Sequence, residues 1–217
     1  MTSGTTRADG MAFERGRRDT SARRLFDILV TVIAIALLLP LLGVVALLVR
    51  WRLGTPVLFR QRRSGRDGEE FAILKFRTMR QPSYPDEPDR DRQTRLGAAL
   101  RRVSIDELPQ LVNILRGEMS LIGPRPTLPE QVRAYDRRQR GRLAVRPGLT
   151  GWAQVRGRNR LSWAERIELD LWYIEHRSWR LDAWILVLTV VALVRPRGIT
   201  GHGGVNPGFP SPGGSPS

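Results

Sequence analysis

Apolar residues are concentrated near the start of the chain, where 22 consecutive residues from Ile28 to Val49 carry no charge. This run is long enough for a membrane helix, and Pro40 near its middle predicts a kink. Arginines flank the run on both sides, which favours a cytoplasmic position for both of its ends. Two alternatives follow for residues 20–52: a re-entrant helix that enters and leaves by one face, or an ordinary kinked transmembrane helix.

Shorter patterns fill most of the remaining chain. Two apolar-rich stretches around a Gly-Arg-Asp-Gly turn predict a β-hairpin over residues 56–77, and the Pro-rich, acidic segment that follows predicts a loop at 80–92. Helical patterns come next, at 94–103, 108–116, 127–139 and 162–176. The predicted fold class is therefore mainly α with a small β-hairpin, preceded by the Pro-kinked membrane helix.

A second apolar run, from Ala183 to Val194, is too short to span a membrane. Trp172, Trp179 and Trp184 accompany it, which favours an amphipathic helix lying in the membrane interface; a buried core helix is the alternative. The predicted organisation then has four parts: a disordered basic lead (1–19), the membrane helix (20–52), a cytoplasmic domain with interfacial helices (53–194) and a disordered Gly/Pro/Ser-rich tail (195–217).

Composition narrows the chemistry. The 217 residues carry a net charge of +15, so anionic partners such as phosphorylated substrates, anionic lipids or nucleic acid are expected. The absence of cysteine excludes a disulfide scaffold, a thiolate metal site and a cysteine nucleophile, and two histidines disfavour a histidine-rich metal site. Of 36 basic residues only Lys75 is a lysine. This contrast suggests that position 75 requires a compact ammonium group, with chance as the alternative.

Adjacent carboxylates at Asp106 and Glu107 stand just before Pro109, close to a predicted helix start. The N-terminal end of a helix stabilises a carboxylate or a phosphate, so this pair is a candidate catalytic centre. The structural alternative for Glu107 is a capping box with Ser104, and two adjacent acids on a surface are often simply solvated.

Several cations are candidates for phosphate contacts. Two prolines hold Arg125 in a rigid Gly-Pro-Arg-Pro turn, Arg146 lies in an Arg-Pro-Gly turn, and Lys75 and Arg77 lie two residues apart on one strand face. Together with one pair of acids, these residues suit a diphosphate that binds with a divalent cation. The sequence contains no Walker A motif and no GxGxxG, which argues against a P-loop enzyme or a dinucleotide-binding domain.

Five strings occur in the order in which they are found in one known family: RLFDILV, KFRTM, LRRVSIDELPQLVNILRGEMSLIGPRP, VRPGLTGWAQVRGRN and ERIELDLWYIEHRSWRLD. The chain thereby resembles the bacterial sugar transferases, the monotopic polyprenyl-phosphate phosphoglycosyl transferases, over residues 20–194. It resembles the minimal form of that family. Any one of these motifs alone would be weak, whereas several in fixed order are specific.

The resemblance implies a reaction. Such enzymes transfer a sugar-1-phosphate from a UDP-sugar to undecaprenyl phosphate and release UMP, in the first membrane step of exopolysaccharide, capsule, O-antigen or glycan biosynthesis. By analogy Asp106 is the nucleophile that forms a covalent phosphosugar intermediate, and Asp106 with Glu107 holds Mg²⁺. The membrane helix in the family is re-entrant, and Pro40 falls at its kink. Many members have a serine before that proline, where this chain has Leu39.

The same analogy makes residues 53–194 the catalytic domain and places its active site on the cytoplasmic face of the inner membrane. Its partners would be the UDP-sugar, undecaprenyl phosphate, anionic membrane lipid and, as is frequent in the family, further copies of the chain, but not nucleic acid. The expected substrate contacts are the four cations named above, with Gln154 and Arg158 as weaker candidates because their Gly-rich loop is equally explained as a structural turn. Asp170 is expected to pair with an arginine or to face the site.

The competing hypothesis is a membrane-anchored basic protein that binds anionic lipid or nucleic acid without catalysis. It explains the charge and the apolar segment. It does not explain why the rigid turn around Arg125, the single lysine and the acid pair occur together.

Overall fold

A computed structural model describes residues 20–157 and 161–194 of the chain. The predicted lead (1–19), the predicted tail (195–217) and Arg158 lie outside these described residues. Within them the fold is mostly helical with a small antiparallel hairpin and one long apolar N-terminal helix, which confirms the predicted class at this level.

The N-terminal helix, α1, covers Ser21–Leu53 and continues through Pro40. Its 33 residues correspond to about 50 Å of helix. In the described part of the chain it is the one helix that is long and apolar enough to cross a membrane. Most of its apolar side chains are exposed, including Leu37 and Leu47, as expected for a surface that meets lipid. The re-entrant path of this helix stays a prediction.

Only a narrow stripe of α1 is buried against the rest of the protein. Near its start, the buried Asp27 carboxylate accepts a hydrogen bond from the Leu121 N–H at 3.1 Å. Arg24 donates to the carbonyl oxygens of Ile114 and Leu115, at 2.5 and 2.8 Å. These polar contacts fix how the long apolar helix meets the domain that follows it.

The predicted hairpin is confirmed. Strand β1, Leu58–Ser64, pairs antiparallel with β2, Glu70–Phe76, and in this register Phe59 opposes Lys75. The tight turn between the strands contains Asp67 and Gly68 with positive φ angles of 56° and 85°. Aspartate and glycine tolerate this left-handed region better than other residues, which explains the Asp-Gly pair at the turn.

The helices predicted after the hairpin occur in the predicted order, and a further short helix (Trp152–Arg156) forms in the Gly-rich stretch that was predicted to be a loop. They are α2 (Arg95–Arg102), α3 (Gln110–Arg116), α4 (Pro129–Arg133), α5 (Trp152–Arg156), α6 (Trp163–His176) and α7 (Trp179–Val194). The helix predicted at 127–139 is wrong in extent, because only Pro129–Arg133 is α-helical. The Asp136 carboxylate accepts from the Gln139 N–H at 2.8 Å, which favours a turn over a continued helix. A 3-10 segment, Gln139–Ala144, follows that turn.

A second small sheet was not predicted. Strands β3, Ser120–Ile122, and β4, Gly148–Thr150, pair in parallel. The larger core cluster packs beneath them and includes Ile114, Met119 and Tyr173. Helix α7 buries Ile185 in this core, whereas its other side leaves a set of large side chains exposed: Trp184, Val187, Val190 and Val191. One face of α7 is thus a core helix, and the interfacial position of its other face stays a prediction.

The hairpin is attached to α3 through Asn113, which is fully buried. Its side-chain carbonyl accepts from the Leu74 N–H at 3.0 Å, and its amide donates to the Ala72 carbonyl at 2.8 Å. The same amide also donates to Glu118 at 2.6 Å. One side chain thus replaces a neighbouring strand along this edge of β2.

We expect Asn113→Ala to lower the free energy of unfolding by about 2–4 kcal/mol, because two buried backbone groups lose their partners. Unfolding of the detergent-solubilised protein by denaturant or heat measures this loss. Val112→Ala, at the exposed neighbouring position, is the control and should change stability by less than about 1 kcal/mol. Equal stability of the two variants would show that Asn113 does not attach the hairpin.

Candidate active site

The acid pair lies in a short 3-10 segment, Ile105–Glu107, between α2 and α3. Ser104, just before it, has a left-handed backbone with φ 59° and makes no capping hydrogen bond through its side chain. The capping box considered as the structural alternative for Glu107 is therefore not formed. The chain turns sharply at this point, and Pro109 then leads into α3.

Glu107 joins two cations from distant parts of the chain. Its Oε1 accepts from Lys75 Nζ and from Arg125 Nη2, both at 2.7 Å, and Arg125 Nη1 lies 3.5 Å from Oε2. Burial alone would raise the pKa of Glu107, but the charges and hydrogen bonds of Arg125 and Lys75 outweigh it and hold that pKa far below its usual range. Glu107 is therefore ionised at all working pH values.

Lys75 is nearly enclosed at this site. Its side chain is 18% exposed, and burial lowers the pKa of its ammonium group although Glu107 opposes that shift. A compact ammonium fits between the hairpin and Glu107, which gives a physical reason for a lysine in a chain whose other basic residues are arginines.

Asp106 differs from its neighbour in having no bound cation. Its residue surface is 6% exposed, and no described residue hydrogen-bonds to its carboxylate. Burial, and secondly the charge of Glu107, raise the pKa of Asp106, whereas Lys75, Arg125 and Arg101 oppose this rise from a distance. A carboxylate that has lost its water without gaining a partner is more basic and more nucleophilic than a solvated one.

Arg125 reaches the site from the Gly-Pro-Arg-Pro turn and keeps 51% of its side chain exposed. Its backbone carbonyl accepts from Arg142 Nη2 at 3.3 Å. Arg142 in turn forms a buried ion pair with Asp170, at 2.5 and 2.9 Å, and hydrogen-bonds to the Tyr135 hydroxyl. Of the two alternatives for Asp170, pairing with an arginine is confirmed. The ion pair of Arg142 and Asp170 thus fixes the backbone of the turn, while the Arg125 guanidinium stays accessible to solvent.

Three glycines position the same turn. A Cβ atom at Gly123 would lie 2.5 Å from the Arg146 carbonyl, and one at Gly148 or Gly151 would collide with the backbone of Gly123. The parallel pairing of β3 and β4 therefore requires glycine at all three positions, because backbone meets backbone there. This close packing brings the turn to within reach of Glu107.

The structure does not bring the other predicted cations to the acid pair. Arg77 is buried and donates to the Leu53 and Thr55 carbonyls, the latter at 2.8 Å, where α1 ends. Arg146 donates to the Gly117 carbonyl at 2.7 Å, where α3 ends. The last carbonyl groups of a helix lack partners within the helix, and arginines satisfy them in both cases.

The remaining substrate candidates lie in the Gly-rich loop. Gln154 has a buried amide with no hydrogen-bond partner among the described residues, and a Cβ atom at Gly151 would lie 2.5 Å from its Oε1. Gln154 lies in α5, the short helix within that stretch, and makes no hydrogen bond to Glu107. Arg158 lies outside the described residues.

Sequence reasoning missed Arg63 and Arg101. The charge of Arg125 acts on Arg63, and that of Arg101 acts on Asp106, so both arginines belong to the surroundings of the site. Neither stands out from the many arginines of the sequence, and only the register of the hairpin places Arg63 on the same face as Lys75.

The donor atoms fit a magnesium ion only in a limited way. The described residues contain no group of three or more acidic or histidine side chains that could hold a metal. Mg²⁺ commonly binds through one or two carboxylates together with substrate phosphates. Asp106 and the Oε2 side of Glu107 could supply such carboxylates, since Glu107 Oε1 is already shared by two cations. The site therefore fits a Mg²⁺ ion that binds together with a diphosphate.

The two acids should have opposite effects on stability. The folded protein raises the pKa of Asp106, so its ionised form costs stability above the usual aspartate pKa, and this cost grows as pH rises through that window. We expect Asp106→Asn to raise the melting temperature at pH 7.5. Glu107→Gln should lower stability by about 1–3 kcal/mol, because Lys75 and Arg125 lose their counter-ion. Thermal unfolding of both solubilised variants measures this contrast, and a loss of stability in Asp106→Asn would contradict it.

Comparisons with known proteins agree with the resemblance found in the sequence. The family model described as bacterial sugar transferase matches residues 18–196. The chain is 42% identical over 180 residues to the uncharacterized sugar transferase EpsL of Bacillus subtilis, covering 82% of this chain and 89% of the relative. It is 39% identical over 197 residues to the exopolysaccharide production protein ExoY of Rhizobium meliloti, covering 82% and 87%.

A third relative carries an enzymatic name. The UDP-glucose:undecaprenyl-phosphate glucose-1-phosphate transferase of Caulobacter vibrioides is 43% identical over 187 residues, covering 79% of this chain and 69% of the relative. The extent of these matches, and the presence of the acid pair and its two cations in one site, lead to one conclusion: the chain belongs to the bacterial sugar transferase family.

Proposed function

We propose that this protein transfers a sugar-1-phosphate from a UDP-sugar to undecaprenyl phosphate and releases UMP, as the first membrane step in building an exopolysaccharide or a related glycan. The observation that carries the proposal is the contrast within the acid pair. Glu107 is bound by Lys75 and Arg125, whereas Asp106 is desolvated and bonded to none of the described residues. The names of the relatives support the choice of donor and acceptor classes.

In the first step of the proposed reaction, a carboxylate oxygen of Asp106 attacks the β-phosphorus of the UDP-sugar. A bond forms between Asp106 and phosphorus, and the bond from that phosphorus to the oxygen bridging the two phosphates breaks. The bridging oxygen leaves with the α-phosphate as UMP. Lys75 and Arg125 stabilise the negative charge on the phosphate oxygens through charge-assisted hydrogen bonds.

In the second step, a phosphate oxygen of undecaprenyl phosphate attacks the same phosphorus. The bond to Asp106 breaks, and the carboxylate is regenerated as the lipid diphosphate sugar forms. Dividing the transfer in this way lets the soluble donor and the lipid acceptor use the site in turn. Mg²⁺, held by Asp106 and Glu107 together with the donor phosphates, would neutralise charge on the diphosphate.

The position of the site supports an acceptor that comes from the membrane. Helix α1 ends at Leu53, and the buried Arg77 ties that end to the strand that carries Lys75. The catalytic centre is therefore attached to the end of the apolar helix. In the proposed arrangement, α1 enters and leaves by the cytoplasmic face of the inner membrane, kinked at Pro40, and the exposed side of α7 lies in the interface.

Asp106→Asn should abolish transfer, with a loss of about a thousandfold or more, because the nucleophile is removed. The measurement is lipid-dependent UMP release by the solubilised protein with Mg²⁺, undecaprenyl phosphate and a panel of UDP-sugars. The control is Arg62→Gln, whose side chain is 84% exposed.

Without acceptor, the wild type should release about one UMP per active site and gain the mass of a sugar phosphate on the peptide that contains Asp106. Equal transfer by Asp106→Asn would overturn its role as the nucleophile. Binding of anionic lipid or nucleic acid by the wild type, with no transfer from any donor, would favour the non-catalytic alternative.

The rate should fall on the acid side with an apparent pKa above the ordinary aspartate value of about 3.8, because Asp106 must be ionised to attack. The charge of Arg101 holds that pKa down, so Arg101→Gln should move the acid limb of kcat/KM to higher pH. Arg102→Gln, at the exposed neighbouring position, should leave the limb in place. A pH profile that is identical in both variants would show that another group controls the acid limb.

A further inference from the structure

Arg63, on β1, has no carboxylate partner among the described residues. Its Nη2 donates to Gln61 Oε1 at 2.6 Å, its Nη1 lies 3.4 Å from the Pro126 carbonyl, and its buried Nε has no acceptor. Glu107 and Glu130 act on it only through their charge, without a hydrogen bond. Partial burial of a guanidinium without a bonded carboxylate is costly, and a bound anion would offset that cost.

The position of Arg63 places it beside the candidate active site. Phe59 opposes Lys75 in the hairpin, and Arg63 lies four residues further along the same strand face. It is therefore about 13 Å from Lys75 along the strand. Burial and the charge of Arg125 lower the pKa of Arg63 to about 10, and Arg125 also lowers the pKa of Lys75. The charge of Arg125 thus acts on both cations of this strand face, Arg63 at one end and Lys75 at the other.

Arg166, on α6, is a second arginine of this kind. Its Nε donates to the Leu161 carbonyl at 3.0 Å, and its buried Nη2 has no acceptor among the described residues. The charges of Arg125 and Arg142 act on it, and the carboxylate of Asp170 that could neutralise it is bonded to Arg142.

Charge is not balanced around Arg125. Four cations lie around Arg125, namely Lys75, Arg63, Arg142 and Arg166, and with Arg125 they face four carboxylates, namely Asp106, Glu107, Glu130 and Asp170. One positive charge is therefore left over in this group. A phosphate monoester carries close to two negative charges at neutral pH, and arginine binds its oxygens in a fork geometry.

We infer that Arg63 and Arg166, together with the outer side of Arg125, form a second anion-binding subsite that takes a phosphate monoester. The proposed reaction contains two phosphate monoesters, the leaving UMP and the lipid phosphate acceptor. The identity of the monoester therefore rests on the proposed function. The subsite would hold the phosphate that is not being transferred, while Lys75 and Glu107 remain beside the nucleophile.

Direct binding tests this subsite independently of turnover. Isothermal titration of the full-length, detergent-solubilised protein would use three probes: inorganic phosphate, UMP and farnesyl phosphate. Arg63→Gln and Arg166→Gln should each weaken binding of at least one monoester by about tenfold or more, because charge-assisted hydrogen bonds are lost. Arg62→Gln is the matched control, since Arg62 lies on the opposite strand face beside the exposed Glu70.

The pattern of losses identifies the source of the phosphate. A loss for UMP alone assigns the subsite to the nucleotide, a loss for farnesyl phosphate alone assigns it to the acceptor, and a loss for both shows that the two share it. If Arg63→Gln lowers the melting temperature, Arg63→Lys replaces it, since it keeps the charge and loses the fork. Binding of all probes as tightly as in Arg62→Gln would overturn the inference.

The transfer assay separates this inference from the proposed function. Binding that depends on Arg63 in a protein that transfers no sugar phosphate would leave the subsite standing and remove the proposed reaction. Suppose instead that Asp106→Asn abolishes transfer but Arg63→Gln and Arg166→Gln leave phosphate binding unchanged. That result would support the proposed reaction and overturn the subsite.

Discussion

The interaction on which the candidate site depends is the pair of 2.7 Å hydrogen bonds that Glu107 Oε1 accepts from Lys75 and Arg125. These residues come from a strand, a 3-10 segment and a loop that are well separated in the sequence. Two cations brought this close would repel each other, and Glu107 supplies the charge that allows them to stay. The two acids therefore differ for an electrostatic reason. Glu107 binds both cations, whereas Asp106 lies buried beside them without a hydrogen bond from either.

The surrounding fold limits the movement of that cluster. Asn113 fixes the hairpin that carries Lys75 to α3, and the buried ion pair of Arg142 and Asp170 fixes the carbonyl of Arg125. Arg77, the residue that follows β2, donates to the Leu53 carbonyl and so ties the end of α1 to the hairpin. Polar contacts, rather than apolar packing alone, thus connect the long apolar helix to the site. Buried polar groups of this kind are directional, so they define one arrangement where a hydrophobic contact would permit several.

Much of this arrangement could be predicted from the sequence because it is local. The apolar run of α1, the hairpin and most helices are visible as periodicity, and Lys75, Arg125 and the acid pair stand out by residue type or by rigid context. Strands β3 and β4 could not be predicted, since three residues carry no periodicity and their pairing depends on glycines far apart in sequence. Arg77 illustrates another limit: its motif was recognised, but the carbonyl groups that bind it belong to a helix end that only the fold brings near.

The division between lysine and arginine at this site has a physical reason. An ammonium group is compact and strongly hydrated, so burying Lys75 is favourable only against a fixed carboxylate, and Glu107 provides one. Arg125 has a planar fork and remains half exposed, so it can bond Glu107 with one edge and present the other to a ligand. Exchanging the two would place the broader, planar guanidinium in the enclosed position and would expose a point charge unable to hold two oxygens in a fork. The single lysine in an arginine-rich chain therefore lies at an enclosed position, against a fixed carboxylate, where a compact ammonium group suits the contact.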